Sequence, residues 1–448
     1  MKKRQIISGI TAVVLLIACL SGCAGKNGEK TASGEEKQII RITYAAGELD
    51  GESSDLDVVF ADFYKEHPNC EIVLEENGSA LMAKIAAGDA PDIIRVKSTE
   101  QLATYVNKGI VMPLDDMLAK SELYDENDIY PICIDSFRFD GKEFGKGSIY
   151  GLPKDWSTSA MWVNKKMLAA EGLEVPTLEN PLTYEKMAQY AKKLTKKKNG
   201  KVSVFGLIDI TSPEIIAERI LNMKGKSMWS ADFSKTNMKD PEVREAFKYV
   251  YNMKFNGYSS SPLNPIDGNG NQEFAEGKTA MNMFGLYSGN VYSKNAQRTV
   301  DFDDMQLCPS PVLDADEPIK VTAAPVGGVI SATTKNPELV FELWEYIHLG
   351  KLAEKRAASG FNLPVKKSIA KSVTFEDEFM KNNYEYAMKL AELEYMFVRV
   401  NPYVTNASVS GVMEKYFTPL LYGQYTFDES MDLIESELQL LIDEGMAN

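Results

Sequence analysis

The sequence contains few of the residues on which metal and nucleophilic chemistry depends. Among 448 residues there are two histidines, His67 and His348, and five cysteines. So few imidazoles argue against a histidine-rich metal site and against a Ser-His-Asp triad. The sequence also lacks a nucleophile elbow and the HExxH and SxxK clusters of known hydrolases. We therefore predict a protein that is not an enzyme, with no catalytic residues, no metal and no cofactor.

The cysteines do not form a disulfide framework. Beyond Cys19 and Cys23 near the start of the chain, Cys70, Cys133 and Cys308 are widely separated and lack the CxxC spacing of zinc and redox sites. Cys70 and Cys308 stand in apolar or strand-like stretches, which predicts that they are small buried side chains. The spacing leaves open whether any two of these three cysteines are paired.

Positive charge is also in short supply. The chain has 49 Lys and Arg against 64 Asp and Glu, a formal net charge of −15. A protein this acidic is repelled by nucleic acid and by anionic lipid surfaces, so we predict no nucleic-acid partner. The basic run KKKNGK at residues 196–201 is interpreted as a solvated helix end and turn rather than a binding patch.

A short apolar stretch lies at the start of the chain. Residues 10–20 follow the basic sequence MKKR and are too few to span a bilayer comfortably, which is typical of a secretory signal. The stretch ends in LSGC (residues 20–23), which closely resembles the lipobox of bacterial lipoproteins and implies cleavage before Cys23 and lipidation of its sulfur, with palmitate as an expected acyl chain.

This resemblance sets the expected location. We predict a signal peptide at residues 1–22 and a flexible tether at residues 23–37, because KNGEKTASGEEK is polar and has no apolar periodicity. The protein is then expected on the extracellular face of the cytoplasmic membrane, held there by its lipid alone.

From residue 38 onwards the pattern alternates between strands and helices. Alternation with a period of two predicts strands at residues 39–45, 70–74 and 92–96, and a helical period predicts helices at 56–64, 81–87 and 101–108. This order is typical of an open α/β sheet with helices on both faces. The alternation restarts after residue 150 and the chain is mostly helical after residue 337, so we predict two α/β lobes in one continuous chain.

Several separated motifs then resemble one family. They are FYKEHP (63–68), AAGDAPDII (86–94), GIVMPLD (109–115), YGLP (150–153), FAEGKTAMNMFG (274–285), PVGG (325–328) and GFNLP (360–364). In this order and spacing they resemble the extracellular solute-binding proteins of ABC importers, in the maltose-binding-protein-like group (family 1). The resemblance implies a periplasmic-binding-protein-like (type II) fold, with two lobes joined by a hinge that the chain crosses more than once. Lobe one then comprises residues 38–155 and 310–350, and lobe two residues 156–309 and 351–448.

The same resemblance implies a function. A monomeric protein would enclose a carbohydrate, in particular an oligosaccharide, between its lobes and deliver it to the permease subunits of an ABC transporter. Two alternatives stay open: a ligand-sensing binding protein for a two-component sensor, and a secreted lipid-anchored glycoside hydrolase with paired carboxylates. The 64 acidic residues make carboxylate pairs inevitable, so such pairs do not favour the hydrolase.

Two segments supply aromatic candidates for ligand contact. Sugars are bound by aromatic faces together with carboxylates and amides that hydrogen-bond to hydroxyls. Asp155 and Trp156 follow Pro153 in a polar, Ser/Thr-rich stretch that predicts a loop, where a core tryptophan would be unusual. Tyr287 stands where the family resemblance places a stacking aromatic residue, often tryptophan in the family's sugar binders. We predict that Trp156 and Tyr287 hold one saccharide in the cleft.

Strand ends and a glycine pair supply the remaining candidate ligand-binding residues. Glu48 follows the first predicted strand, Ser98 the third, and Asp209 a strand in the second lobe. Ser98 has an alternative role as the N-cap of the helix that follows. Gly327 and Gly328 permit a close backbone approach, either to a ligand or between the lobes.

Overall fold

The structure is a computed structural model that describes residues 37–50, 53–76, 78 and 80–447. The predicted signal peptide, the lipidation site Cys23 and all of the predicted tether except Lys37 lie outside these residues. Inside them, no helix is both long enough and apolar enough to cross a membrane.

Strands are distributed along the described chain as far as residue 395, and most of them are short. They are β1 (Gln38–Ile42), β2 (Cys70–Leu74), β3 (Ile93–Val96), β4 (Arg138–Phe139), β5 (Ser148–Ile149), β6 (Gly151–Thr158), β7 (Ala160–Asn164), β8 (Lys196–Lys198), β9 (Lys201–Val204), β10 (Met281–Asn282), β11 (Met305–Pro309), β12 (Lys320–Val321), β13 (Ala323–Ile330) and β14 (Glu394–Tyr395). The three strands predicted in the first part of the chain are therefore present, each beginning within one residue of its predicted start.

Helices connect the strands and make up most of the final hundred residues. They are α1 (Ala46–Leu49), α2 (Leu56–Val59), α3 (Ala61–Glu66), α4 (Leu81–Ala86), α5 (Thr99–Asn107), α6 (Asp115–Leu118), α7 (Pro131–Asp135), α8 (Lys165–Ala170), α9 (Tyr184–Leu194), α10 (Pro213–Met223), α11 (Pro241–Phe255), α12 (Asn271–Ala275), α13 (Tyr287–Lys294), α14 (Pro337–His348), α15 (Lys351–Ala358), α16 (Lys367–Ser372), α17 (Glu378–Ala391), α18 (Asn406–Leu421) and α19 (Phe427–Ala447), with a 3-10 helix at Phe302–Asp304. Side-chain caps begin many of them, for example Thr183 at α9 and Asp240 at α11.

The first sheet has the strand order β2-β1-β3-β13-β6. β1 runs parallel to β2 and β3, whereas β13 is antiparallel to both β3 and β6. Ile40 and Ile42 of β1 and Ile72 of β2 are buried in the core of this sheet, as the alternating pattern requires. The predicted α/β class is confirmed.

The second sheet has the order β10-β7-β11, with antiparallel pairing on both sides of β7. Residues 205–208 extend it, because Phe205 and Ile208 form parallel bridges to Thr279 and Asn282. Both faces of β7 are buried: Met161 and Val163 belong to one apolar cluster and Trp162 to another. The helices α10, α11, α18 and α19 pack together on the Met161 side.

Contacts place two segments differently from the lobe boundaries expected from the sequence. In residues 351–372, Arg356 donates a 2.7 Å hydrogen bond to the Leu49 carbonyl, and Ser368 bonds to Asp128. These residues therefore contact the first sheet's lobe, although Ser359 also accepts a hydrogen bond from Asn290 of the second. Conversely, Val312 N donates to the Leu182 carbonyl in the second lobe.

A hairpin replaces the predicted helix end at the lysine-rich run. α9 ends at Leu194, and β8 pairs antiparallel with β9 through the two-residue turn Asn199-Gly200. Both turn residues have positive φ, 53° and 77°, as the Asn-Gly turn of a tight hairpin requires. The lysine side chains of β8 are exposed, so the solvated character predicted for this run is confirmed although its shape is not.

The cysteines follow the predicted burial. Cys70, Cys133 and Cys308 are all buried and free, so no two of them are paired. Burial raises the pKa of the Cys133 thiol well above its ordinary value. These thiols are therefore unreactive core side chains.

Candidate functional site

A cavity of about 720 Å³ opens at one edge of the first sheet. Because β1, β2 and β3 are parallel, their carboxyl ends meet at this edge. The lining residues stand at or just beyond these ends: Thr43, Tyr44, Ala45, Glu48, Leu74, Glu75, Glu76, Arg95 and Lys97. The crevice outside the carboxyl ends is where open α/β sheets bind ligands, so this cavity is the candidate site in the first lobe.

Glu48 lies in the short helix α1 and lines this cavity. Its Oε1 accepts a 2.6 Å hydrogen bond from Arg95 Nε and lies 3.7 Å from Lys154 Nζ. The Glu48 side chain is still 22% exposed. Its charge is therefore balanced, yet the carboxylate can accept further hydrogen bonds from the hydroxyl groups of a ligand.

A buried cluster of charges lies behind Glu48. Lys154, Asp155 and Arg356 are each 3% exposed. Asp155 Oδ2 contacts the Lys154 ammonium and lies 3.3 Å from Arg356 Nε. Asn362 Nδ2 donates to the other oxygen of Asp155 at 3.0 Å. The predicted ligand contact Asp155 is thus enclosed by protein partners, and it supports the site from behind.

Burial and neighbouring charges shift the pKa values of this cluster. Burial alone would raise the pKa of the Asp155 carboxyl, but the Lys154 and Arg356 cations hold it below its ordinary value. Burial lowers the pKa of Lys154, with Arg356 acting in the same direction and Asp155 and Glu48 opposing it. Each charge is tolerated because the opposite charge lies beside it.

Ser98 has the alternative role that its position allowed. Its hydroxyl accepts a 3.3 Å hydrogen bond from Gln101 N and caps the start of α5. The neighbouring Lys97 lines the cavity, but Ser98 does not. The structure therefore assigns Ser98 to the helix start, since the same hydroxyl satisfies a helix-end donor.

Trp156 is not in a loop. It lies within β6, is 0% exposed, and its Nε1 donates to the Pro364 carbonyl at 3.2 Å. Its ring packs against Tyr130 with a centroid distance of 5.1 Å. The loop was predicted from the polar residues around Trp156. That prediction is wrong because every residue of β6 is buried, including the polar ones. With no exposed surface, Trp156 cannot stack on a ligand in this conformation.

Gly327 and Gly328 lie in β13, and their close contacts are with other residues of the first lobe rather than with a ligand or the second lobe. A Cβ on Gly327 would stand 2.2 Å from the Leu152 carbonyl oxygen in the adjacent strand. On Gly328 it would stand 2.6 Å from the Tyr44 hydroxyl. Both glycines are therefore required by close packing inside the first lobe.

Tyr287 belongs to a group of three aromatic residues, Phe284, Tyr287 and Phe361, here called the aromatic group. The ring centroids of Phe284 and Tyr287 are 6.0 Å apart, and those of Tyr287 and Phe361 are 5.9 Å apart. Phe361 is 36% exposed, and Tyr287 is partly exposed. Burial raises the pKa of the Tyr287 phenol to about 12, so it is neutral at physiological pH.

The aromatic group lies next to the charged cluster. Phe361 precedes Asn362, whose amide nitrogen is bonded to Asp155. The Asn362 side-chain oxygen is buried without a hydrogen-bond partner. An unpaired buried acceptor beside exposed aromatic rings is suited to a donor supplied by a bound molecule or a water.

Asp209 follows the bridged segment 205–208, as predicted, but its side chain is only 6% exposed. One carboxylate oxygen accepts a 2.9 Å hydrogen bond from Thr211 N. Asp209 also opposes the lowering of the Lys254 pKa that burial causes, together with Glu214. The structure thus couples Asp209 to buried charges of the second lobe.

Lys154 and Asp155 link Glu48 to the Asn362 segment, which carries Phe361 beside Tyr287. Trp156 and the glycine pair lie nearby but are packed inside the first lobe, and Ser98 caps α5. Arg95, Phe284 and Phe361 were missed by the sequence analysis. Phe361 lies inside the quoted GFNLP motif and Phe284 inside FAEGKTAMNMFG, so the motifs themselves contained the signal. Among the described residues, no cluster of His, Cys, Asp and Glu is arranged to hold a metal ion.

Solved structures share this architecture. The ABC substrate-binding protein Lmo0181 from Listeria monocytogenes, solved in complex with cycloalternan, superposes with a TM-score of 0.69 at 20% identity, covering 90% of this chain and 98% of that chain. The sugar-binding protein MalE from Xanthomonas citri gives 0.68 at 16% identity, covering 91% and 98%. At these identities the likeness establishes the fold, which is the predicted type II periplasmic-binding-protein fold.

Sequence comparison identifies the family. The osmoprotective compounds-binding protein GgtB of Synechocystis sp. is 25% identical over 197 residues, 42% of this chain, and the chain spans 41% of the length of that curated relative. The sequence model of the family described as bacterial extracellular solute-binding protein matches residues 46–348. Since that match covers more than half of its residues, the chain belongs to the bacterial extracellular solute-binding protein family.

Proposed function

We propose that this protein captures a carbohydrate between its two lobes and hands it to the permease subunits of an ABC transporter. The observation that carries the proposal is the cavity at the carboxyl ends of β1, β2 and β3. Its lining residue Glu48 lies beside the charged cluster, and Asn362 joins that cluster to the aromatic group. A sugar needs both elements: hydrogen-bonding groups for its hydroxyls and an apolar ring face for its C–H surface.

Different residues supply the hydrogen-bonding groups and the aromatic ring faces. Glu48 and Arg95 line the cavity with an acceptor and donors for hydroxyl groups, and Asn362 offers an unpaired acceptor. Tyr287 and Phe361 offer ring faces. Because Glu48 belongs to the first lobe and Tyr287 follows a strand of the second, a ligand that contacts both stabilises the closed arrangement of the lobes.

Similar solved structures support a carbohydrate ligand. They hold cycloalternan, mannotriose, α-D-tagatose and ribitol. These molecules share a dense array of hydroxyl groups and differ in size. We favour an oligosaccharide, because a cavity of about 720 Å³ exceeds what a single sugar ring fills.

Titration calorimetry with a panel of neutral oligosaccharides tests the ligand class. We expect one compound to bind with 1:1 stoichiometry, and Glu48→Gln to weaken it by about tenfold or more, since a charge-assisted hydrogen bond becomes a neutral one. The bound sugar should be recovered chemically unchanged after long incubation, as a binding protein requires. Heat only from amino acids or peptides would contradict the carbohydrate assignment, and turnover in proportion to protein would contradict the non-catalytic one.

We further propose that Cys23 carries the lipid that holds the protein, as a monomer, at the outer face of the membrane. The support is the LSGC sequence at residues 20–23. Cell fractionation should find the protein with membranes and the Cys23→Ala variant released from them. A variant that stays in the membrane fraction through detergent-free washing would contradict this anchor.

A further inference from the structure

A strongly basic hairpin stands on the surface of this acidic protein. Six of the ten residues from 192 to 201 are lysine and none is acidic, in a chain whose net charge is −15. These residues, here called the lysine hairpin, comprise the end of α9, the strand β8, the turn, and the first residue of β9. All six lysines are exposed.

Few acids neutralise the lysine hairpin. Lys196 Nζ lies 2.5 Å from Glu171 Oε1, and Lys193 donates to the backbone carbonyl of the same residue. Among the described residues, the ion pairs of these lysines are confined to Glu171. The other lysines have no acidic partner in the part of the chain that the structure describes, so the patch keeps a clear excess of positive charge.

An exposed aromatic side chain lies beside the lysine hairpin. Lys197 Nζ donates to the Asn256 carbonyl at 3.3 Å, which joins the hairpin to the end of α11. The preceding residue, Phe255, is 48% exposed and stacks on Tyr251 with a centroid distance of 5.1 Å. Lysines flanking an exposed aromatic ring are the combination that peripheral proteins use at a bilayer interface.

We propose that the lysine hairpin and Phe255 form a docking surface for an anionic lipid bilayer. The acidity of the whole protein does not prevent this. The Debye length is about 8 Å at physiological ionic strength, so a bilayer surface interacts with the charges nearest to it. Each lysine next to an anionic surface contributes about fivefold to partitioning, and the Phe255 ring adds apolar contact at the headgroup level.

Experiment can distinguish this docking role from a second role of the same lysines. Lysines on a short, two-stranded sheet also block edge-to-edge pairing with another chain. In that case, removing them would promote self-association and would leave the distance between the hairpin and a bilayer unchanged.

Lipid quenching of a fluorophore tests the docking surface. The full chain with Ser203→Cys, an exposed position of β9, is labelled and mixed with vesicles that contain brominated lipids. We expect quenching with vesicles containing about one third phosphatidylglycerol, none with phosphatidylcholine alone, and loss of quenching at roughly 1 M salt, where the Debye length is about 3 Å.

Two matched triple variants test whether the lysines of the hairpin cause the quenching. Replacing Lys192, Lys198 and Lys201 by Gln removes three exposed ammonium groups, and we expect contact between hairpin and bilayer to fall by roughly 100-fold. Replacing Lys320, Lys371 and Lys381 by Gln changes the net charge equally and should leave quenching intact. Sugar binding should be unaffected in both variants, so the outcome is independent of the proposed ligand.

Three results would overturn the proposal. They are equal quenching in neutral and anionic vesicles, equal loss in both triple variants, and a hairpin variant that self-associates while its quenching is unchanged. Quenching that requires an added membrane protein, rather than lipid alone, would equally overturn it by assigning the surface to a protein partner.

Discussion

Trp156 and Tyr287 are both large aromatic residues near the junction of the two sheets, but their surroundings give them different physical roles. Trp156 has no exposed surface and a hydrogen-bonded indole. Tyr287 is partly exposed and contacts the exposed ring of Phe361. Truncation of the first removes core packing, whereas truncation of the second removes a surface on which a ligand can stack.

We therefore predict opposite outcomes for the two alanine variants. Trp156→Ala should lower the free energy of unfolding by about 3–5 kcal/mol, the usual cost of a buried aromatic cavity. Tyr287→Ala should weaken sugar binding by about 30-fold and change unfolding much less. Denaturant unfolding and calorimetry measure both quantities, and Tyr287→Phe, which keeps the ring, is the control. Weakened binding by a fully stable Trp156→Ala protein would show that this residue meets the ligand after all.

His348 makes the stability of the first lobe depend on pH. Its Nδ1 donates to the Trp344 carbonyl at 2.6 Å, which leaves Nε2 to accept from the Tyr44 hydroxyl at 3.1 Å. Burial lowers the pKa of His348 to about 3, and the nearby Arg356 and Lys154 cations add to this effect while Asp155 opposes it. The folded protein therefore holds His348 neutral, whereas the unfolded chain protonates it near pH 6.5.

Proton linkage determines whether stability rises or falls with pH. Below about pH 6.5 the unfolded state binds a proton that the folded state excludes, so stability is lost as pH falls from there towards 3. Between pH 7 and pH 5, protonation of this one group in the unfolded state should lower the free energy of unfolding by up to about 2 kcal/mol. Melting of the His348→Gln variant at both pH values should show a smaller pH dependence than the wild type. The control is His67→Gln, which replaces the partly exposed imidazole near Glu342 and keeps the buried one. An equal effect of both substitutions would exclude His348 as the source.

At the scale of elements, one buried arginine joins α15 to the first lobe by polar contacts, beside the apolar packing of Leu352. Arg356 donates to the carbonyls of Leu49 and Ile347 and lies 3.3 Å from Asp155. Its burial without these partners would be very unfavourable. The helix therefore follows the first lobe even though the chain has already passed into the region expected to form the second.

Arg356→Met should consequently cost about 3–5 kcal/mol of unfolding free energy, since it leaves buried carbonyls and Asp155 underpaired. Lys355→Met on the same helix is the matched control, because Lys355 is exposed, and should change little. In a double-mutant cycle with Asp155→Asn, the paired loss should be smaller than the sum of the single losses. Strict additivity would mean that the two charges do not stabilise each other.

The sequence predicted elements well where a single period dominated. β2 has the predicted bounds, and β1 and β3 begin within one residue of theirs, because apolar residues alternate along them. Residues 150–153 were predicted to be extended, but the rest of β6 was missed because both of its faces are buried and its polar residues Lys154, Asp155 and Ser157 are satisfied inside the protein. A pattern that equates polar with exposed cannot detect such a strand.

The candidate site was predicted less well for a related reason. Glu48 and Tyr287 were found from strand ends and motif position, and both have some exposed surface. Whether Asp155 faces solvent depends on partners more than a hundred residues away, Arg356 and Asn362. Those pairings are set by tertiary packing, which no local pattern contains.

At the scale of the whole molecule, the two sheets carry different parts of the candidate site. The cavity with Glu48 belongs to the first sheet, and Tyr287 begins the helix that follows β10 of the second. Ligand binding energy that depends on both sheets is available only when they are close together. Under the proposed function, we therefore expect a ligand that contacts both sheets to shift the population towards closed molecules, in proportion to its preference for the closed form.

Small-angle scattering of the chain from Lys37 onwards should detect this closure. A compact chain of this length has a radius of gyration of about 22 Å, and we expect the ligand-free protein to exceed that value and the saturated protein to approach it. With Tyr287→Ala at saturating sugar the decrease should be smaller, because the second lobe then gains less from closing. Glu245→Gln is a suitable control, since Glu245 is exposed on α11 and lies outside the cavity lining, so its loss should leave closure intact. Identical scattering with and without bound sugar would show that the site is preformed, and that Glu48 and Tyr287 hold the ligand without any movement of the lobes.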